Sequence, residues 1–171
     1  MRFYIVYDMI KTVIEFINDP KTDKKQVLDL IRELGLKGQQ DADILQLYML
    51  IIRGLQFLER FGLQEAFKTY FKTHREDGLP YTIMLVKELR DHIPLIEFRV
   101  NWQGIGAFRA VFFEHQMNEQ QILFFVKAVV KNRTFDSEFE RIVQETESMY
   151  SDFLTHPEKY QLNLVGDGQI D

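Results

Sequence analysis

At Leu95 the spacing of apolar residues changes from a helical period to a period of two, and this change constrains the fold most. Ile96, Phe98, Val100 and Trp102 alternate with Glu97, Arg99 and Asn101. Phe108, Ala110 and Phe112 alternate with Arg109, Val111, Phe113 and His115, and "QILFFVKAVV" (121–130) is a third run, apolar on both sides. Three such runs predict an antiparallel meander. Parity fixes its register. Placing Phe98, Val100 and Trp102 on the face of Phe108, Ala110 and Phe112 requires partner numbers summing to about 208 or 210, with an odd loop around "QGIG". Arg99 and Arg109 then share the other face. Lys127 joins them if the next loop is also odd.

Upstream the pattern is helical. "RFYIVYD" (2–8) reads as a strand, followed by a short helix carrying Val13, Phe16 and Ile17 that stops by Asp19-Pro20. "DKKQVLDLIRELG" predicts a second helix ending at Gly35. The strongest helix signal is 41–62, capped by Asp41 or Asp43 and ended by Gly62. Its polar residues Gln46, Arg53, Gln56 and Arg60 form one narrow stripe, so it is buried on more than one side. "QEAFKTYFKTHRED" continues as an exposed helix or a connection, closed by Gly78 and Pro80. Residues 134–154 return to helix, capped by Thr134 or Asp136, with Phe139, Ile142, Val143, Thr146, Met149, Tyr150 and Phe153 inward.

The fold class predicted is α+β. A twisted antiparallel sheet of about four strands (an N-terminal strand plus a three-strand meander) carries N-terminal helices on one face and a C-terminal helix. At 171 residues the chain suits a single domain, taken as 1–160, with a helical part at about 9–78 and a strand-rich part at about 95–130. A partly disordered tail is expected at 161–171. The start lacks the cleavable motif of a signal peptide and no apolar run reaches membrane-spanning length, so a soluble cytoplasmic protein is expected.

Charge separates along the chain. The net charge is −5. Residues 79–133 carry seven basic and five acidic residues (+2), whereas 134–171 carry two and nine (−7). The arginine-bearing strands are therefore the basic part. Like charges facing each other across a sheet cost a few tenths of a kcal/mol, roughly, unless an anion offsets them. Two offsets are open: Glu97, giving a surface network, or a bound phosphate. With no cysteine, and four histidines without metal-ligand spacing, no metal site or cofactor is predicted. "GIG" and "GDG" are weak as phosphate loops. His115, on the basic face, is the best-placed histidine for a site.

The order Leu79-Pro80, Lys87–Leu89, Glu97-Phe98-Arg99, Phe108-Arg109-Ala110-Val111-Phe112 and Phe125-Val126-Lys127 resembles the phage-derived, HigB-like branch of the RelE/ParE superfamily of bacterial type II toxins. The resemblance covers about residues 41–150, most specifically 85–133. It implies a small α+β fold and metal-independent cleavage of mRNA, usually on the ribosome, with a cognate antitoxin of helix-turn-helix type as partner. By position it implies Arg99, Arg109 and Lys127 as the phosphate-stabilising catalytic set. Lys87, Arg90, Lys131, Arg133 and His115 would contact RNA. Two positions depart from the pattern: Leu123 stands where a histidine is common, and Ala128 where a second lysine is. A catalytically inactive toxin fold that binds another protein is the alternative.

Overall fold

The computed structural model describes residues 10–132 and 137–160. Its elements in order are β1 (Lys11–Phe16), α1 (Gln26–Lys37), α2 (Ala42–Phe61), α3 (Leu63–Lys68), β2 (Phe71–His74), β3 (Pro80–Ile83), β4 (Val86–Glu88), a 3-10 turn (Arg90–His92), β5 (Ile96–Val100), β6 (Ala107–Met117), β7 (Gln120–Lys131) and α4 (Ser137–Thr155). The predicted α+β class holds, but the sheet is larger and mixed. Five strands run in the order β1-β7-β6-β5-β4, and β2 and β3 form a separate hairpin.

The mixed character comes from β1, which pairs in parallel with β7 from Lys11↔Gln120 to Phe16↔Phe125. Sequence periodicity assigned this stretch to a short helix. Six residues rich in β-branched and aromatic side chains are too few for an independent helix and fit a pleated surface better. Thr12 settles the register: its buried hydroxyl donates to Gln121 Oε1 at 3.0 Å, and Leu63 N–H donates to the same oxygen at 3.1 Å. The strand predicted at 2–8, the caps Thr134 and Asp136 and the tail at 161–171 lie outside the described residues.

Helix α2 forms as its sequence predicts. Asp41 is the N-cap, accepting from the backbone N–H of Asp43 and Ile44. Gly62 ends it. Helix α1 passes through Gly35 and ends at Gly38 instead. A Cβ on Gly35 would lie 3.0 Å from the Tyr48 ring, so this glycine permits close α1–α2 packing rather than a stop.

The sheet separates two cores. On one face α1 and α2 pack against Phe98, Val100, Phe108, Ala110, Phe112, Leu123 and Phe125. On the other, α4 covers Val111, Phe113, Ile122, Phe124, Val126 and Val129. The N-terminal helices therefore share one face, as expected. No helix among the described residues is long and apolar enough to cross a membrane.

The segment at 64–78 is neither a long helix nor a plain connection. After α3 the chain forms the β2–β3 hairpin, with Phe71↔Ile83 and His74↔Pro80 as end pairs. Gly78 turns the chain at a φ of +84°, and Pro80 opens β3. The polar stripe of α2 anchors this hairpin: Gln46 Oε1 accepts from Glu76 N–H at 2.7 Å. Arg53 donates to His74 O and Glu76 Oε1, both at 2.8 Å.

Candidate functional site

Strands β5 and β6 pair with Arg99 opposite Arg109 and Val100 opposite Phe108, a sum of 208. Parity set this register: seven residues, an odd number, lie between the paired Val100 and Phe108. Gly106, one of these, has a φ of +115°, and a Cβ there would lie 2.4 Å from Lys131 O. Its backbone therefore fits flush against the end of β7, which seats the loop.

Lys127 reaches the arginine face by another route. Met117 pairs with Gln120, so only Asn118 and Glu119 turn the β6–β7 hairpin, at φ +53° and +62°. That is the two-residue turn with both central residues left-handed, which matches strand twist. An even loop alone would place Lys127 on the opposite face. A bulge in β7 corrects it: partner sums change from 237 at Phe112↔Phe125 to 238 at Val111↔Lys127. Bulges re-aim side chains in this way, often near sites.

The cations on this face divide into two groups. Arg109 Nε pairs with Glu97 Oε1 at 2.8 Å, with both side chains nearly buried. Its other nitrogens donate to Phe108 O at 3.0 Å and to Asn101 Oδ1 at 2.6 Å. Burial pulls the guanidinium below its ordinary value, Glu97 opposes this, and neighbouring Arg99 adds to the fall. Arg99 Nε donates to Met84 O at 3.0 Å. Arg99 has no carboxylate within ion-pair distance among the described residues. The arginine pair thus holds two positive charges against one carboxylate.

Arg109 opens into a groove of about 1010 Å³, the upper end of small-molecule cavities. Arg75, Tyr81, Asn101, Trp102 and Lys131 also line it. Tyr81 hydroxyl donates to Asn101 O at 2.8 Å and accepts from Asn101 N–H at 3.1 Å. Burial raises the Tyr81 pKa; the Asn101 hydrogen bond and the charge of Arg109 lower it, and the net shift is upward. The chain Glu97–Arg109–Asn101–Tyr81 thus fixes the guanidinium from both sides.

Lys127 sits in a second cleft, of about 680 Å³, beneath α4. Its ammonium lies 2.9 Å from Asp19 Oδ2 and 3.9 Å from Glu145 Oε2. Burial pushes the Asp19 carboxyl up, but hydrogen bonds from Lys127 and from the Lys21 N–H outweigh it, leaving the group below its ordinary value. A depressed carboxylate stabilises the fold above its unfolded value of about 3.9 and stops doing so as pH falls through the folded one. Asp19→Asn is therefore expected to lower the urea midpoint at pH 7, and by a smaller amount as pH falls below the unfolded value. A loss of equal size at every pH would contradict the pairing.

The remaining predicted residues are scattered. Lys87 is exposed on edge strand β4 opposite Glu97, on the arginine side, and Arg90 is exposed in the 3-10 turn. His115 lies six residues along β6 from Arg109, roughly 20 Å away at strand rise, with its ring edge-on to Phe153 at 5.1 Å. Arg133 lies outside the described residues. Leu123 and Ala128 both face the α1–α2 core, fully buried. Gln26 brackets Ala128, donating to its O at 2.8 Å and accepting from its N at 2.7 Å, where β1 no longer covers β7. A histidine or lysine at either position would point away from the arginines.

No family model, curated protein or solved structure matches this chain. The groove geometry therefore stands on its own residues. Arg75 and Tyr81 escaped the sequence reading because the hairpin that brings them to the sheet was not predicted, and Asn101 and Trp102 were read only as strand positions. The alternation Tyr81-Thr82-Ile83 after Gly78-Leu79-Pro80 was the signal available.

Proposed function

We propose that the chain is a RelE/HigB-like endoribonuclease of the toxin–antitoxin type. It cleaves mRNA without a metal, on or off the ribosome, and a helix-turn-helix antitoxin restrains it. The observation that carries this reading is the facing arginine pair, two guanidiniums against one carboxylate, of which Arg109 opens into the groove. An RNA strand brings its own nucleophile, the 2′-hydroxyl. Its attack on the adjacent phosphorus forms a 2′,3′-cyclic phosphate and breaks the bond to the 5′-oxygen, which leaves as a hydroxyl. The proton lost from the 2′-hydroxyl and the proton gained by the 5′-oxygen are exchanged through water, and negative charge builds on the non-bridging oxygens in between. Fixed cations beside those oxygens lower the barrier because they need no reorganisation as charge develops. Arg109 is fixed by Glu97 and Asn101, Arg99 stands beside it, and Lys131 extends the cationic lining along the groove.

Lys127 favours a second reading. Its charge is matched by Asp19 and Glu145 in a separate cleft, which withdraws one of the three implied catalytic cations. On that reading the protein is an inactive toxin fold that binds a protein partner. Incubation with mRNA, once alone in EDTA and once with intact ribosomes in magnesium buffer, separates the two. The nuclease reading predicts discrete cleavage products, reduced by about 10²-fold or more in Arg99→Ala/Arg109→Ala. Intact mRNA at high protein concentration would exclude it and leave the interaction module.

A further inference from the structure

We propose that a groove at the other end of β6 from Arg109 docks a protein partner, through a segment that presents a large apolar side chain beside a lysine or arginine. This site is separate from the arginine face and does not depend on the RNA-binding reading.

The groove encloses about 390 Å³ and is walled by four parts of the chain: α3, the β4–β5 connection, the end of β6, and α4. Both cores reach the surface here. Phe67 packs at the margin of the first core and Tyr150 at the margin of the second. Leu63, Leu95 and Ile96, all buried, give the groove an apolar floor. Ile93 also lines it and is 75% exposed. A lone exposed isoleucine is ordinary. One that shares a groove with Phe67 and Tyr150 over a buried apolar floor has the form of a pocket for an anchoring side chain.

Charge selects the partner. Glu88 and Glu114 line the groove, and no lysine or arginine does. Glu88 is exposed at the end of the edge strand β4. Neither carboxylate has a cation within ion-pair distance among the described residues. Glu114 is oriented by amides instead: its Oε1 accepts from Gln116 Nε2 at 3.1 Å and from Gln121 Nε2 at 3.2 Å. Two carboxylates without counter-charges repel the phosphates of a nucleic acid or an anionic membrane and attract a cation. Gln64 and Gln116, both exposed, add polar groups around the apolar floor, as at the rim of a protein–protein interface. The occupant that fits is therefore a protein segment whose apolar residue enters the groove while an adjacent basic residue meets Glu88 and Glu114. His115 lines this groove too, which sets it beside carboxylates rather than among the arginines.

The full chain is used to select from a phage-displayed random peptide library, with counter-selection on the Ile93→Asp/Glu88→Lys variant. The selected peptides are expected to carry Phe, Leu, Met or Trp next to Lys or Arg. Affinity of a synthetic selected peptide, read by fluorescence anisotropy, should fall at least about 10-fold with Ile93→Asp and with Glu88→Lys. Replacing the peptide's basic residue by Glu should weaken binding to the unmodified chain and recover part of it on Glu88→Lys. Ile93 and Glu88 are exposed, so both variants should keep the urea midpoint of the unmodified chain. Selected peptides that are acidic or lack a large apolar residue would overturn the proposal. So would peptides that bind the variants as tightly as the unmodified chain, or a selection that enriches no peptide. Because the peptide's charge reversal is measured on the unmodified chain, the outcome holds even if a variant disturbs the fold.

Discussion

Arg109→Leu is expected to lower stability by about 3 kcal/mol, whereas Glu97→Leu/Arg109→Leu loses about 1 kcal/mol or less. The asymmetry follows from burial. The Arg109 and Glu97 side chains retain 14% and 10% of their exposure, so removing the guanidinium strands a carboxylate away from water. Removing both charges and filling the space with apolar groups restores a consistent interior, since Glu97 faces Val111 across β5 and β6. Denaturant unfolding of the two single variants and the double variant gives the coupling directly. Additive losses would mean that solvent screens the pair. Function should follow a different pattern: if Arg109 binds phosphate as proposed, the double variant regains stability yet loses RNA affinity. That separation distinguishes a charge kept for a ligand from one kept for the fold.

Phe125→Ala should produce the largest loss among single core substitutions, about 3–5 kcal/mol. Phe125 is fully buried and stacks on Phe112 with ring centroids 4.6 Å apart and planes 7° from parallel. Phe98 meets it edge-on at 5.7 Å and Phe16 tilts against it at 6.1 Å. These rings come from four strands, β1, β5, β6 and β7, so alanine opens a void where the whole sheet meets α1 and α2. A loss of this size is a large share of the roughly 5–15 kcal/mol that holds a typical domain together. The urea midpoint should fall sharply with little change in slope. A loss below about 1 kcal/mol would show that the surrounding rings close over the gap.

Period and parity made the central meander legible. The α2 span follows from its helical period between Asp41 and Gly62, and the Arg99–Arg109 pairing with its odd connection follows from where Phe98, Val100, Phe108 and Ala110 must point. Lys127 was harder. Its face depends on a bulge, and the sequence around Phe125-Val126-Lys127, apolar on both sides, carries no mark of an extra residue. Strand β1 was misread because Val13, Phe16 and Ile17 suit a helical stripe as readily as a pleat. Its parallel partner lies more than a hundred residues away, beyond any local signal. The β2–β3 hairpin was missed because Phe71-Lys72-Thr73-His74 is short and follows a true helix turn. Its docking on Gln46 and Arg53 gives a reason for the polar stripe on an otherwise apolar α2. With the hairpin absent from the reading, half of the groove wall was absent too.

Whether the cations of the arginine groove bind RNA phosphate, as proposed above, shows directly in the salt dependence of binding. Affinity for a short single-stranded RNA is measured across salt concentrations for the unmodified chain and for Lys131→Ala. Each phosphate neutralised in a single strand contributes about −0.7 to the slope of log affinity against log salt. Phosphate binding at the groove gives a clear negative slope for the unmodified chain. In Lys131→Ala binding weakens and the slope becomes shallower by about 0.7. Binding that ignores salt, or a slope unchanged by Lys131→Ala, would contradict it.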